Sequence, residues 1–157
     1  MTQEQSDKYY LKVAELCSHN SYAERLKVGA IIVRGNQIIS DGFNGTPSNF
    51  DNICEITEHQ DSMRCQICTK EHCEGCDNLR LITRPEVLHA ESNAITKCAR
   101  CGNASDGATI YITHSPCIEC AKLIIQSGIK RVVYHDKYRS DDGIKLLEKA
   151  NVKVEQI

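Results

Sequence analysis

Apolar side chains recur at Tyr10, Val13, Ala14 and Cys17, a spacing that gathers them on one face of a helix over residues 9–19. Two short apolar runs follow, residues 28–33 and 37–41, joined by Gly35 and Asn36, and these read as a β-hairpin. Residues 42–47 end the second strand. From there to Pro85 the chain loses periodicity, turns polar and holds half of its cysteines, so about residues 51–85 read as an insertion. Order then returns: a helix over 89–101, a strand over 108–113, a helix over 117–127, a strand over 131–134, a helix over 141–150 and a strand over 152–156. Helices lying between strands predict an α/β chain, a three-layer α/β/α fold whose central mixed five-stranded sheet has helices on both faces. The 157 residues suit a single domain, 1–157, with one active site.

Charge narrows the partners. Lys plus Arg total 19 against 21 Asp plus Glu, a formal net charge of −2, with no basic tail, so no nucleic-acid partner is expected. Aromatic residues make up 5% of the chain and Trp is absent, which argues against stacking platforms for single strands. The polar opening segment lacks the apolar core of an export signal and the length of a membrane span, so a cytoplasmic protein without a membrane partner is expected. In that reducing compartment the ten cysteines point to metal ligation or burial rather than disulfides.

Two motifs carry the chemistry. His89, Ala90 and Glu91 open one predicted helix, and Pro116, Cys117 and Cys120 open the next. One His and two Cys make the three-ligand set of a catalytic zinc, which leaves a fourth tetrahedral position for water. Cys117 and Cys120 are three apart in a first helical turn, so both sulfurs face one ion. Helix N-termini also favour thiolates. Glu91 is near enough to the open position to take a proton from a bound water, whose pKa falls from about 15.7 towards about 7 in such sites. The pairing of these motifs is the signature of zinc nucleobase deaminases.

A second set of sulfurs lies in the insertion. Cys65 and Cys68, then Cys73 and Cys76, form two CxxC pairs four residues apart, a closed four-sulfur set suited to a structural zinc that staples a segment poor in apolar residues. Cys98 and Cys101 form a third CxxC, in step with Ala94, and read as core residues. Cys17 belongs to the apolar face of the first helix. His19, His114 and His135 lack convergent partners in the sequence and read as ordinary histidines.

Residues 89–95 (HAESNAI), 107–113 (GATIYIT), 116–130 (PCIECAKLIIQSGIK) and 134–141 (YHDKYRSD), with KVGA at 27–30 and GFNG at 42–45, resemble the deoxycytidylate deaminases of the zinc-dependent cytidine and deoxycytidylate deaminase superfamily. The resemblance spans nearly the whole chain outside the insertion. It implies a cytidine-deaminase-like fold and hydrolysis of dCMP to dUMP and ammonia, supplying dUMP for thymidylate synthesis. Glu91 would carry protons to ring N3 and then to the leaving amine while hydroxide attacks C4. Asn44, Ala90, Ser115 and Tyr138 fall on substrate-binding positions of the family. Lys27, Gly42, Phe43, Asn44 and Gly45 fall on its triphosphate effector site, with dCTP as activator and dTTP as inhibitor, Mg²⁺ accompanying the triphosphate, in a homohexamer. The family often holds an extra zinc with varied ligands, so Cys54, His59 or His72 could replace one of the four insertion sulfurs. For the monophosphate, Arg25, Lys27, Lys137 and Arg139 are the nearby cations.

Other readings use the same residues. A tRNA adenosine deaminase or polynucleotide cytosine deaminase would act on a flipped base with the same zinc site. The acidic balance, GFNG and the Asp136, Lys137, Tyr138 segment weigh against both. A riboflavin-pathway deaminase is a further, weaker rival. A zinc-stapled binding module without catalysis would close its coordination with four protein ligands and has no use for Glu91.

Overall fold

The computed structural model describes residues 2–59 and 79–157. In chain order the elements are α1 (Gln3–Ser18), β1 (Gly29–Arg34), β2 (Gln37–Phe43), β3 (Glu55–His59), β4 (Leu79–Thr83), α2 (Ala90–Arg100), β5 (Thr109–His114), α3 (Ile118–Gln126), β6 (Arg131–Asp136), α4 (Asp142–Lys149) and β7 (Lys153–Gln156). The main sheet has the order β2-β1-β5-β6-β7. Its β1 pairs antiparallel with β2 and β5, whereas β5, β6 and β7 run parallel, so the sheet is mixed as expected.

Strand alternation divides the core. Ala30, Ile32, Ile110, Ile112 and Val132 point to the side that packs on Ala90, Ala94, Ala121, Ile124 and Leu147 of α2, α3 and α4. Ile31, Val33, Tyr111 and Val133 point the other way, onto Tyr10, Leu11 and Ala14 of α1. Three helices therefore cover one face and one helix the other. Because β1 is covered on both sides, its first five residues are all buried.

Two elements depart from the expectations. Helix α1 starts six residues before the predicted 9, because Thr2 and Gln5 form a reciprocal capping box: Gln5 N–H donates to Thr2 Oγ1 at 3.2 Å and Thr2 N–H to Gln5 Oε1 at 2.9 Å. The added turns carry Asp7, whose two oxygens accept from Arg131 Nη1 and Nη2 at 2.7 and 2.8 Å and which also accepts from Tyr111 Oη at 2.7 Å. Arg131 Nε in turn donates to Glu155, so this network ties α1 to β5, β6 and β7. The second departure is a two-stranded ladder of β3 and β4 inside the predicted insertion, with Glu55 opposite Thr83. The side chains of His59, Cys65, Cys68, His72, Cys73 and Cys76 lie outside the described residues.

Candidate active site

His89 and Cys117 are the N-cap residues of α2 and α3, and neither makes the side-chain hydrogen bond that usually satisfies a helix start. Their side chains turn towards one another instead. Nδ1 of His89 lies 3.4 Å from Cys117 Sγ and 3.4 Å from Cys120 Sγ. A tetrahedral ion with Zn–S near 2.3 Å and Zn–N near 2.0 Å would hold such atoms about 3.5 Å apart, so the donors fit zinc. Among the described residues this is the one group of three or more such donors close enough to share an ion.

Glu91, in the first turn of α2, is 4% exposed. Burial is the main reason its carboxyl is pushed up to about 7, opposed by its own main-chain hydrogen bond and by the His89 ring. The Cys117 thiol is pulled down to about 3, first by the Cys120 thiol and then by His89, while Cys120 is driven up by Cys117 and by burial. Hydrogen bonding to Cys117 raises His89.

A cavity of about 390 Å³ opens over these groups, with His89, Ala90, Glu91 and Cys117 in its wall. Arg25, Lys137 and Arg139 line the same cavity. It is bordered by the segments that follow the carboxyl ends of β5 and β6, where parallel strands gather ligand-binding residues. Residues 4–136 match the cytidine and deoxycytidylate deaminase zinc-binding region. The chain belongs to the cytidine and deoxycytidylate deaminase family.

It is thus a zinc-dependent hydrolase, and His89, Cys117 and Cys120 form a donor group that could hold the metal. The deoxycytidylate deaminase of Enterobacteria phage T4 is 35% identical over 150 residues, covering 82% of this chain and 76% of the phage protein. ComE operon protein 2 of Bacillus subtilis is 37% identical over 152 residues, covering 96% of this chain and 70% of the relative. The dCMP deaminase of cyanophage S-TIM5, solved in complex with dCMP and dUMP, superposes with a TM-score of 0.79 at 39% identity, covering 100% of this chain and 99% of that one.

The deaminase brings several expected residues to the cavity and rearranges others. Ala90, Ser115 and Tyr138 line it, and the buried Ser115 Oγ accepts the Tyr138 N–H at 2.7 Å, which fixes the loop after β6. Asn44 also lines it, but its amide is largely committed: Oδ1 accepts from Val28 N–H at 2.8 Å and Nδ2 donates to Leu26 O at 2.8 Å. Lys27 is exposed and lines neither this cavity nor a second one of about 580 Å³ bounded by Gly42, Phe43 and Gly45. The main-chain N–H groups of Asn44 and Gly45 are already engaged, donating to Val28 O and Leu88 O at 3.1 Å each, so neither is free to bind a triphosphate.

Other sequence readings change as well. His114 is not an ordinary histidine: it lines the active cavity, its Nδ1 lies 3.1 Å from Thr113 Oγ1 and its Nε2 3.8 Å from Asp136 Oδ2, and burial lowers its pKa. Its place at the end of β5, two residues before Pro116, was the available signal. Glu55 and Thr83, inside the predicted insertion, also line the cavity. Cys98 is buried in the core at 1% exposure, whereas Cys101 caps α2 and is exposed. Cys54 is buried at 2% and apart from the donor group.

Proposed function

We propose that this deaminase converts dCMP and water to dUMP and ammonia. The observation that carries the reading is one cavity that joins the zinc donors and Glu91 to Arg25, Lys137 and Arg139, in a chain that superposes along its whole length on a dCMP deaminase solved with dCMP and dUMP. Zinc, when bound, supplies a Lewis acid that lowers the pKa of the attacking water towards about 7. Glu91 then does the proton work. Its carboxylate takes one proton from the attacking water and delivers it to ring N3 as the new C4–O bond forms. It next takes the remaining hydroxyl proton and gives it to the amine as the C4–N bond breaks. Burial serves this double role, because a carboxyl that titrates close to neutrality can both accept and donate. Arg25, Lys137 and Arg139 meet the 5′-phosphate, and Tyr138 and Ala90 border the nucleotide.

Ammonia release from cytidine, CMP, dCMP, dCTP and a cytosine-containing oligonucleotide tests this. The highest kcat/KM is expected for dCMP, and a preference for the oligonucleotide or for a nucleoside without phosphate would overturn it.

Regulation belongs to the same reading: dCTP with Mg²⁺ activates, dTTP inhibits, and the chain works as a homohexamer in the cytoplasm. The second cavity supports an effector site, since Arg100 stands with Lys97 beside Gly42, Phe43 and Gly45, although Asp41 lines the same cavity and holds Lys97 Nζ at 2.7 Å, so that an anion there would compete with this carboxylate for Lys97. A second zinc on Cys65, Cys68, Cys73 and Cys76 is proposed from their paired spacing. Two zinc ions per chain by elemental analysis, falling to one in Cys68→Ser, would support it, and one in the parent protein would remove it.

A further inference from the structure

Glu55 takes no part in the zinc chemistry, yet it is a carboxylate only 8% exposed in the wall of the substrate cavity. A carboxylate beside a phosphate subsite repels the ligand, so its presence calls for a physical reason. Both of its oxygens are used on main chain: Oε2 accepts the N–H of Glu24 at 3.1 Å and Oε1 the N–H of Arg25 at 3.3 Å. Directly across the β3–β4 ladder stands Thr83, whose Oγ1 accepts from Arg25 Nη1 at 3.2 Å. One cross-strand pair thus holds Arg25 at both ends, Glu55 by the backbone and Thr83 by the guanidinium.

We propose that Glu55 is a positioning residue for the 5′-phosphate of the substrate, acting through Arg25 by clamping the main chain of residues 24 and 25. This rests on the dCMP reading above. Two converging N–H donors explain the residue type, because a carboxylate offers an acceptor to each, whereas an amide offers one acceptor and turns an N–H towards the other donor. The benefit is preorganisation. An arginine already held in the cavity loses little freedom when phosphate arrives, and a free one must be immobilised at the expense of affinity. The clamp is separate from that of Asn44, which holds residues 26 and 28 of the same loop.

The test compares dCMP with deoxycytidine, which lacks the phosphate. In Glu55→Gln, kcat/KM for dCMP is expected to fall roughly 10- to 100-fold, mainly through KM, and that for deoxycytidine less than about threefold. Arg25→Ala should show the same selective fall, and the double variant little more than either alone. Thr83→Val, which leaves Glu55 intact, should show a smaller fall of the same kind and carries the test if Glu55→Gln does not fold. Equal losses on both substrates, or an additive double variant, would overturn the proposal. If Arg25→Ala is selective and neither Glu55→Gln nor Thr83→Val is, only the clamp fails. If Arg25→Ala itself leaves the ratio unchanged, the phosphate role of Arg25 fails, and the clamp loses its purpose with it.

Discussion

Replacing Gly143 by Ala is expected to loosen zinc although no metal donor is replaced. Gly143 sits in the first turn of α4, and a Cβ built there would lie 2.1 Å from Pro116 O and 2.9 Å from the carbonyl C and O of Cys117. An ordinary carbon–oxygen contact is about 3.3 Å, so roughly 1 Å of movement is required, and every obstructing atom is backbone. Zinc ligand distances tolerate only about 0.2 Å. Either the Pro116–Cys117 turn yields and drags a ligand away, or α4 lifts off. The helix is pinned by Leu147, which is fully buried in the core, so the turn is expected to give.

Overpacking of this kind costs about 1–3 kcal/mol, and the better helix propensity of Ala returns at most about 1 kcal/mol. The net loss of stability is therefore small, whereas zinc affinity should fall about 10- to 100-fold, as for changes in residues that orient metal ligands. Competition with a chromogenic chelator measures the affinity, and thermal unfolding with and without zinc separates it from stability. A Gly143→Ala protein that binds zinc and turns over as the parent does, while melting several degrees lower, would show that α4 moved instead and would refute the argument.

Glu91→Gln keeps the size of the side chain and removes the base, so zinc content should stay constant while turnover falls about 100- to 10,000-fold; near-normal rates would mean that another group moves the proton. Asp7 links stability to pH. Its hydrogen bonds from Arg131 depress its pKa from 3.8 to about 2, so its contribution of about 2 kcal/mol is complete above pH 3.8 and is lost as pH falls through 2. Asp7→Asn should therefore destabilise the protein by about 2–4 kcal/mol at pH 7 and progressively less towards pH 2 in chemical unfolding, and a pH-independent difference would contradict this. Asn44→Ala should release residues 26–28, raising KM for dCMP and lowering the melting temperature together; a change in KM alone would favour direct contact with the sugar.

The catalytic centre was legible because its residues are close in sequence and sit at helix starts. His89 and Glu91 come from one turn, Cys117 and Cys120 from another, and α/β alternation brings the two turns together. The pieces that were missed are held by distant partners. Glu55 pairs with Thr83 across residues 60–78, a polar stretch that shows no period, and Ile56 in β3 is 52% exposed, so neither strand announces itself. The polar first turns of α1 exist because of a capping box and an ion pair 124 residues away. Gly42, assigned to the effector site by resemblance, has a packing reason that the motif does not show: a Cβ there would lie 2.4 Å from Ala90 O and 2.5 Å from Ala94 N of α2.

The end of β2 is where the two cavities meet, and its bonds say what moving it would do. Gly42, Phe43 and Gly45 border the second cavity, and Asn44 borders the first. Phe43 O accepts from Asn93 Nδ2 in α2 at 2.9 Å, and Gly45 exchanges two main-chain hydrogen bonds with Leu88, the residue before His89. Asn44 is tied to residues 26 and 28, next to Arg25. A displacement of residues 42–45 is therefore passed both to the segment bearing His89 and Glu91 and to the loop bearing Arg25. A ligand in the second cavity changes catalysis only to the extent that it prefers one arrangement of this turn. A tenfold shift needs about 1.4 kcal/mol of preference, about the net worth of one hydrogen bond, so rearranging a single one of these tethers is enough.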